Sequence, residues 1–382
     1  MFWVGRGALQ GMCKKMIKGG FILMKGGRLL LAFSTMISFV SCLSAQSSAQ
    51  QTSLPEWVNN LERVYPSRDW IAVTAEGRNQ TQAENAAMSA LARAFRTDIN
   101  SLTQSAQRYT QIIEGTTGAV IFNESRNFSH EINVNSNIHG LIGVQTDVYR
   151  SASAGSFTYV LARMNRRECS ARYSAMIAEN TAIINRLITS AASFPNQANL
   201  DVYSRLSFAH SLAQVTDNFQ NILEVLDPTA VNRKPSYGTA NAIKLRMLET
   251  ASLITIGISV NTEQLSDRAQ YVEERTLLRR AAGSFFRDLG FRTNEHGTGN
   301  YILSVNVRFE EISQNVFSCR YYLNASLTDA SGISIFTFTE DDRKAHPNNA
   351  NEARRLAVRA AEESFKEGKF AGEFNTWLMR NN

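Results

Sequence analysis

Apolar and polar side chains alternate from residue 70 to 75, with Ile71, Val73 and Ala75 on one side and Trp70, Ala72 and Thr74 on the other. That period predicts a strand with one face on a core, ended by Gly77. Thr81 and Glu84 then stand at capping-box spacing. Ala83, Ala87, Ala90 and Ala94 recur every three or four residues with Leu91 and Phe95 beside them, a stripe small enough for a helix to lie close to a sheet. The helix is expected to run on to Ile113 and to break at Gly115 and Gly118. Period-two alternation returns at Phe128, His130, Ile132 and Val134, again at Ile142, Val144, Thr146 and Val148, and a third time over 156–164. Ser153, Ala154 and Gly155 supply the turn of a hairpin between the last two.

The period then lengthens. Tyr173, Ile177, Ile184, Leu187 and Ile188 predict a helix from residue 166 to about 192, interrupted by Phe194-Pro195-Asn196. Leu206, Ala209, Leu212, Ala213, Phe219, Leu223 and Leu226 predict a second, from about 200 to 226. Two such helices with a short loop should pair antiparallel. Asp227-Pro228 ends the second, Pro235 to Gly238 marks a linker, and a short helix is expected over 241–251. Beyond it come a strand face (Ile254, Ile256, Ile258, Val260), a helix over about 268–289, strands over 301–309, 317–327 and 333–339 with a turn at Ser331-Gly332, and a last helix opening at Asn349 with Glu352 at the capping-box position. The expected fold is α+β, two helix-on-antiparallel-sheet modules joined by a helical hairpin spacer. Its expected divisions are an α+β domain over 54–166, the spacer over 167–251 and a C-terminal α/β domain over 252–382. The Asn-Glu-Ala opening of the last helix echoes residues 83–87, as if the modules shared a plan.

Pro55-Glu56-Trp57, the aromatic-led strand into Glu76-Gly77, the helix start at 82–87 and the strand Tyr159-Val160-Leu161-Ala162-Arg163-Met164-Asn165-Arg166 occur in order. Together they resemble the LPP20 family of bacterial envelope lipoproteins, which is related to the N-terminal domain of a flagellar assembly protein. The match spans residues 54–166 and departs from the family where an acidic residue is expected before Arg166. The resemblance implies an envelope protein with a link to flagellar or surface-structure assembly. The C-terminal order β-α-β-β-β-α resembles, in pattern only, envelope assembly domains such as those of the curli secretion lipoprotein.

The N-terminus is read as an address. Met24-Lys25-Gly26-Gly27-Arg28 is a short basic region, and 29–40 is a largely apolar run of twelve residues, short for a bilayer span and suited to a signal peptide core. Phe39-Val40-Ser41-Cys42 resembles a lipobox, which makes Cys42 the expected lipidation site, 1–41 a signal peptide with its true start at Met24, and 42–53 a flexible tether. Ordinary secretion, with cleavage after Ala45 or Ala49, is the alternative. The formal charge of +6 belongs to this segment. Residues 1–41 hold six basic side chains and no acid, so the remainder of the 382-residue chain carries 34 basic against 34 acidic residues. A neutral remainder offers no broad footprint for nucleic acid.

Candidate chemistry is sparse. The four cysteines, Cys13, Cys42, Cys169 and Cys319, form no CxxC pair, and Cys169 and Cys319 are expected as buried free thiols, with a disulfide between them the alternative. His130 and His139 lack ligand spacing, and His210 is expected as the half-buried partner of a neighbouring polar group. The one dense cluster of catalytic residue types is Glu340, Asp341 and Asp342 with His346, which lacks the spacing of a calcium loop and is expected as a solvated turn before Pro347. No catalytic residue, metal ligand or cofactor is assigned. The expectation is a non-enzymatic, lipid-anchored scaffold of the periplasm or outer membrane. Its partners would be the membrane, envelope proteins or peptidoglycan, with self-association through the helix pair. The alternative is an envelope hydrolase or a peptidoglycan- or solute-binding module.

Overall fold

Trp70–Gly77 forms strand β1, and its alternation turns Ile71, Val73 and Ala75 toward the first core. Two short helices precede it, α1 (Glu56–Asn59) and α2 (Leu61–Val64). Helix α3 (Gln80–Ala94) follows. Its cap is Asn79 rather than Thr81: the Asn79 side chain accepts from the Gln82 amide at 2.9 Å, while Gln82 accepts from the Arg78 amide at 3.0 Å. A Cβ on Gly77 would lie 2.5 Å from the Ala83 nitrogen, so glycine permits the close approach of helix and strand. The structure, a computed structural model, describes residues 54–97, 99–115, 141–151, 157–231, 234–262, 269–313, 317–347 and 349–380. The leader and Cys42, the tether, the strand expected over 128–134, His130, His139 and the turn at 153–155 lie outside the described residues.

The helix expected to reach Ile113 is two. Helix α3 stops at Ala94, Arg96 takes a left-handed φ of 54°, and α4 runs Ile99–Gly115. Strands β2 (Gln145–Arg150) and β3 (Thr158–Asn165) complete the first sheet in the order β1-β3-β2, all antiparallel, with Trp70 opposite Asn165 and Val148 opposite Val160. As the central strand, β3 buries Val160, Leu161, Ala162 and Met164 on both faces.

Helices α5 (Arg166–Ala192) and α6 (Leu200–Leu226) span the expected residues, each started by an asparagine, Asn165 and Asn199, whose side chain accepts a backbone N–H. They pair antiparallel: Arg166, at the start of α5, donates to the carbonyls of Val225 and Leu226, and Arg205, near the start of α6, donates to Ser190. The hairpin packs into the first core. Phe219 meets Tyr109 and Tyr173 edge-on at 5.0 and 5.6 Å, and the Tyr109 hydroxyl donates to Asn180 at 3.0 Å. At its other end α6 enters the second core, where Leu200 and Tyr203 are buried and Tyr203 lies 4.5 Å from Phe291. No helix among the described residues is long and apolar enough to cross a membrane.

After α7 (Ala240–Leu253) comes the second sheet, β4 (Thr255–Thr262), β5 (Arg292–Asn294), β6 (Tyr301–Ser313), β7 (Phe317–Asp329) and β8 (Ser334–His346), in the order β5-β4-β6-β7-β8. The α+β class is as expected. This sheet is mixed, however, because α8 (Ala269–Asp288) carries the chain over from β4 and returns it parallel, first to β5 and then to β6. Helix α9 (Ala350–Lys366) begins at the expected Asn349 cap, and α10 (Lys369–Arg380) follows it. Strand β5 and helix α10 are additions to the expected order. Helix α10 brings Phe370 and Phe374 into a ring cluster with Phe285, Phe286 and Phe336 at centroid distances of 5.3 to 6.5 Å. Buried Arg354 of α9 ties this layer to its neighbours, donating to both oxygens of Glu274 on α8 at 2.8 and 2.9 Å and to Glu311 of β6 at 3.3 Å. The described elements belong to one compact unit, Thr52–Asn382.

Candidate functional site

The cluster expected as a turn is part of a strand. Strand β8 continues through His346, so alternation sends Glu340, Asp342 and His346 to one side with Phe336 and Phe338, and Asp341 to the other. Glu340 is only 6% exposed, accepts from the hydroxyls of Tyr321 and Ser364, and has Lys369 Nζ at 3.6 Å. Asp341 is held by Arg320, whose hydrogen bonds keep its carboxyl below the ordinary aspartate range, and Asp342 is lowered in the same direction by the Lys344 ammonium at 2.7 Å. His346 pairs with Phe317 at the strand end. Each carboxylate thus has its own hydroxyl or cation, and Asp341 lies on the other side of the sheet from Glu340, Asp342 and His346. Cys169 and Cys319 are buried free thiols in different cores, and burial pushes the Cys319 thiol up to about 11. Half-buried His210 donates from Nδ1 to the Ala240 carbonyl at 3.0 Å, the polar partnership expected for it.

Two other places are candidate sites. The first is the side of the second sheet opposite its helices. Register aligns Ser259, Ser304, Ser326 and Thr337 across β4, β6, β7 and β8, and the next row is Asn261, Asn306, Asn324 and Thr339. Asn261, Asn306, Asn324, Thr337 and Thr339 are exposed. Beyond these neutral rows lies a charged end that is internally paired. The Arg308 and Arg320 guanidinium groups stand 4.2 and 4.9 Å from the Tyr322 ring, Tyr322 donates to Glu310 at 3.1 Å, and Arg320 donates to Asp341 at 2.7 Å. At the opposite end the 295–300 loop lies against β4, where a Cβ on Gly257 would come within 2.6 Å of the Gly297 carbonyl carbon and Asn300 accepts from the Thr255 amide at 2.7 Å. The alternation of Ser304, Asn306 and Arg308 with Leu303, Val305 and Val307 is visible in sequence. The rows are not, because they depend on the register of four separate strands.

The second place is a cleft of about 550 Å³ where the α3–α4 break meets the C-terminal half of α6. Buried Phe95, Leu102 and Ile222 form its floor. Ser105, Asn218 and Asn221 stand on its walls, with Arg96 at the rim. Asn218 donates to Ser105 at 2.7 Å, which leaves the Asn218 carbonyl and the Ser105 O–H for another partner. Sequence reasoning assigned none of these residues. The available signal was short polar side chains sharing helix faces, at 101 and 105 and again at 218 and 221. Among the described residues no group of three or more His, Cys, Asp or Glu is placed to hold a metal ion.

No family model matches the chain, that of LPP20 included, and no curated protein matches it. Among solved structures it is similar to a secreted protein of Helicobacter pylori, HP1454, at 12% identity and a TM-score of 0.35, over 79% of this chain and 96% of that one. A minor lipoprotein of Acinetobacter baumannii aligns at 10% identity and a TM-score of 0.22, covering 32% of this chain and 91% of that one. A PelC dodecamer from Paraburkholderia phytofirmans aligns at 10% identity and 0.22, covering 34% and 87%.

Proposed function

We propose that the chain is a non-catalytic binding or assembly protein of the bacterial envelope, anchored by fatty chains on Cys42 and presenting the open face of its second sheet to other envelope components. Those components are envelope proteins, further copies of the chain, or peptidoglycan. The observation that carries this reading is the pair of rows of serine, asparagine and threonine across β4, β6, β7 and β8. Short side chains on strands already fixed by their ladder lose little rotamer freedom when a partner settles on them, so close contact is made at small entropic cost. The internally paired charges at one end give the face a direction.

The lipobox-like 39–42 supports anchoring, since acyl chains on a cysteine supply enough buried methylenes for stable attachment when two or more are present. The resemblance of residues 54–166 to LPP20 lipoproteins extends the reading to flagellar or surface-structure assembly. Splitting Asp341 from Glu340, Asp342 and His346 across two sides of the sheet favours a scaffold over a hydrolase. The test is a photo-cross-linking amino acid placed at Asn306, at Thr339 and, as control, at exposed Glu373, with adducts identified by mass spectrometry from living cells. Adducts from the first two positions and none from the third are expected. Equal yields at all three, or none anywhere, refute the reading. Anchoring is tested separately with a fatty-acid analogue, whose label should be lost in Cys42→Ser.

A further inference from the structure

Arg96 occupies a position where its residue type is unfavourable. It is the one described residue other than glycine with a positive φ, at 54°, in a break between helices that a glycine or an asparagine would make without strain. Nothing in the backbone of that turn requires an arginine, so its side chain is the feature to explain. That side chain lines the rim of the 550 Å³ cleft. Among the described residues it has no carboxylate partner, and the Asn221 amide on the opposite wall is likewise without one.

Besides the Glu224 carboxylate, which lines the cleft and is engaged in an interaction of its own, the cleft brings together three chemistries. A guanidinium at the rim takes a carboxylate in a forked pair of hydrogen bonds. The Asn221 amide, the Asn218 carbonyl and the Ser105 hydroxyl supply donors and acceptors of the kind that pair with a peptide unit. Phe95, Leu102 and Ile222 give an apolar floor for one side chain. The volume falls in the range of small-ligand sites, on the order of 300 to 1,000 Å³. From this we infer that the cleft binds an N-acylated amino acid with an apolar side chain, either free or as the C-terminal residue of a peptide. The carboxylate pairs with Arg96, the amide with the Asn221 and Asn218 wall, and the side chain lies on the floor. A lysine at 96 would offer a point charge without the fork. The site lies in the first core, apart from the sheet face proposed as the assembly surface, and does not depend on that reading.

The experiment is calorimetric titration of the chain lacking residues 1–41 with N-acetyl-leucine, with N-acetyl-leucinamide and with a pentapeptide ending in leucine. Saturable binding of the acid, with the amide weaker by about tenfold or more, is expected. Arg96→Asn, which keeps a residue suited to the left-handed turn, should weaken the acid to the level of the amide and leave amide binding unchanged. Asn221→Trp, a surface substitution that fills the mouth of the cleft, should abolish all three titrations while the circular dichroism spectrum stays native. Tighter binding of the pentapeptide than of N-acetyl-leucine assigns the site to protein C-termini, and equal or weaker binding assigns it to free small molecules. The inference is overturned if neither carboxylate probe binds, if acid and amide bind alike, or if binding survives both substitutions.

Discussion

Removal of the Arg354 guanidinium should be the most damaging single change in the second core. The Arg354 side chain is 4% exposed and that of Glu274 is 8% exposed, so the pair has left water almost completely. Both Glu274 oxygens accept from Arg354, and its guanidinium lies 5.1 Å from the Phe309 ring, so Arg354→Met removes two charge-assisted hydrogen bonds and takes the guanidinium away from a buried carboxylate. Breaking one side of such a buried pair costs about 3–5 kcal/mol, whereas replacing both partners by apolar residues of similar volume is often neutral or stabilising. Arg354→Met should therefore lower the stability in urea by about that amount, and Arg354→Met combined with Glu274→Met should recover most of it. Glu311→Gln serves as the control: its side chain is 55% exposed, and its loss should change stability by about 1 kcal/mol at most. Trp377, tilted against Phe374 and Phe336 with ring centroids 5.4 and 5.6 Å apart, reports the melting of this core by fluorescence once the other tryptophans are replaced by phenylalanine. If the single substitution costs under about 1 kcal/mol, or the double is no more stable than the single, the charges are hydrated in solution and the argument from burial fails.

Four further outcomes follow from the geometry. Burial is the largest influence on His210 and lowers its pKa, with Lys244 and Arg108 acting in the same direction and the Ala240 carbonyl and Asp217 against it. The unfolded chain therefore takes up the proton first, stability is full above about pH 6.5 and falls as the pH drops from there through the folded value, and His210→Gln should flatten urea midpoints measured across that window. Gly77→Ala forces a Cβ to within 2.5 Å of the Ala83 nitrogen and should lower the urea midpoint by an amount equivalent to about 1–3 kcal/mol, with Gly332→Ala, where nothing lies within 4 Å but φ is 78°, losing about 1–2 kcal/mol by strain alone. Arg96→Gly relieves about 1–2 kcal/mol of left-handed strain and gives back about 0.5–1 kcal/mol as unfolded-chain entropy, so thermal melts should show a variant no less stable than the parent.

Elements with strong punctuation were legible from sequence. Helices α5 and α6 begin after asparagines and are separated by Phe194-Pro195, so periodicity and caps agreed on their ends. The α3–α4 break carries neither glycine nor proline, and helical periodicity on both sides of Arg96 conceals it. The direction of β4 was hidden for another reason: Ile256, Ile258 and Val260 alternate alike whether the strand runs parallel or antiparallel to its neighbours. In β8 the inward positions change from Phe336 and Phe338 to Glu340 and Asp342, and charged residues on both sides erase the period-two signal although the strand continues. Helix α10 could have been read, since Phe370, Phe374, Trp377 and Leu378 mark a helical face beyond Gly368. The cleft as a whole could not, because its residues come from 94–105 and 218–228 and meet only in the folded chain.

Helix α6 places Leu200 and Tyr203 in one hydrophobic cluster and most of its remaining buried residues in the other. Fraying at its first turn loosens the C-terminal layer, and loss of its later turns strips a wall from the N-terminal one, so heat or denaturant acting on either half is felt by both. Fragments cut at the 231–239 connection would each expose a greasy surface in place of the missing neighbour. Such pieces are better suited to aggregation than to independent life, and production of soluble protein should keep the stretch from residue 54 onward in one polypeptide.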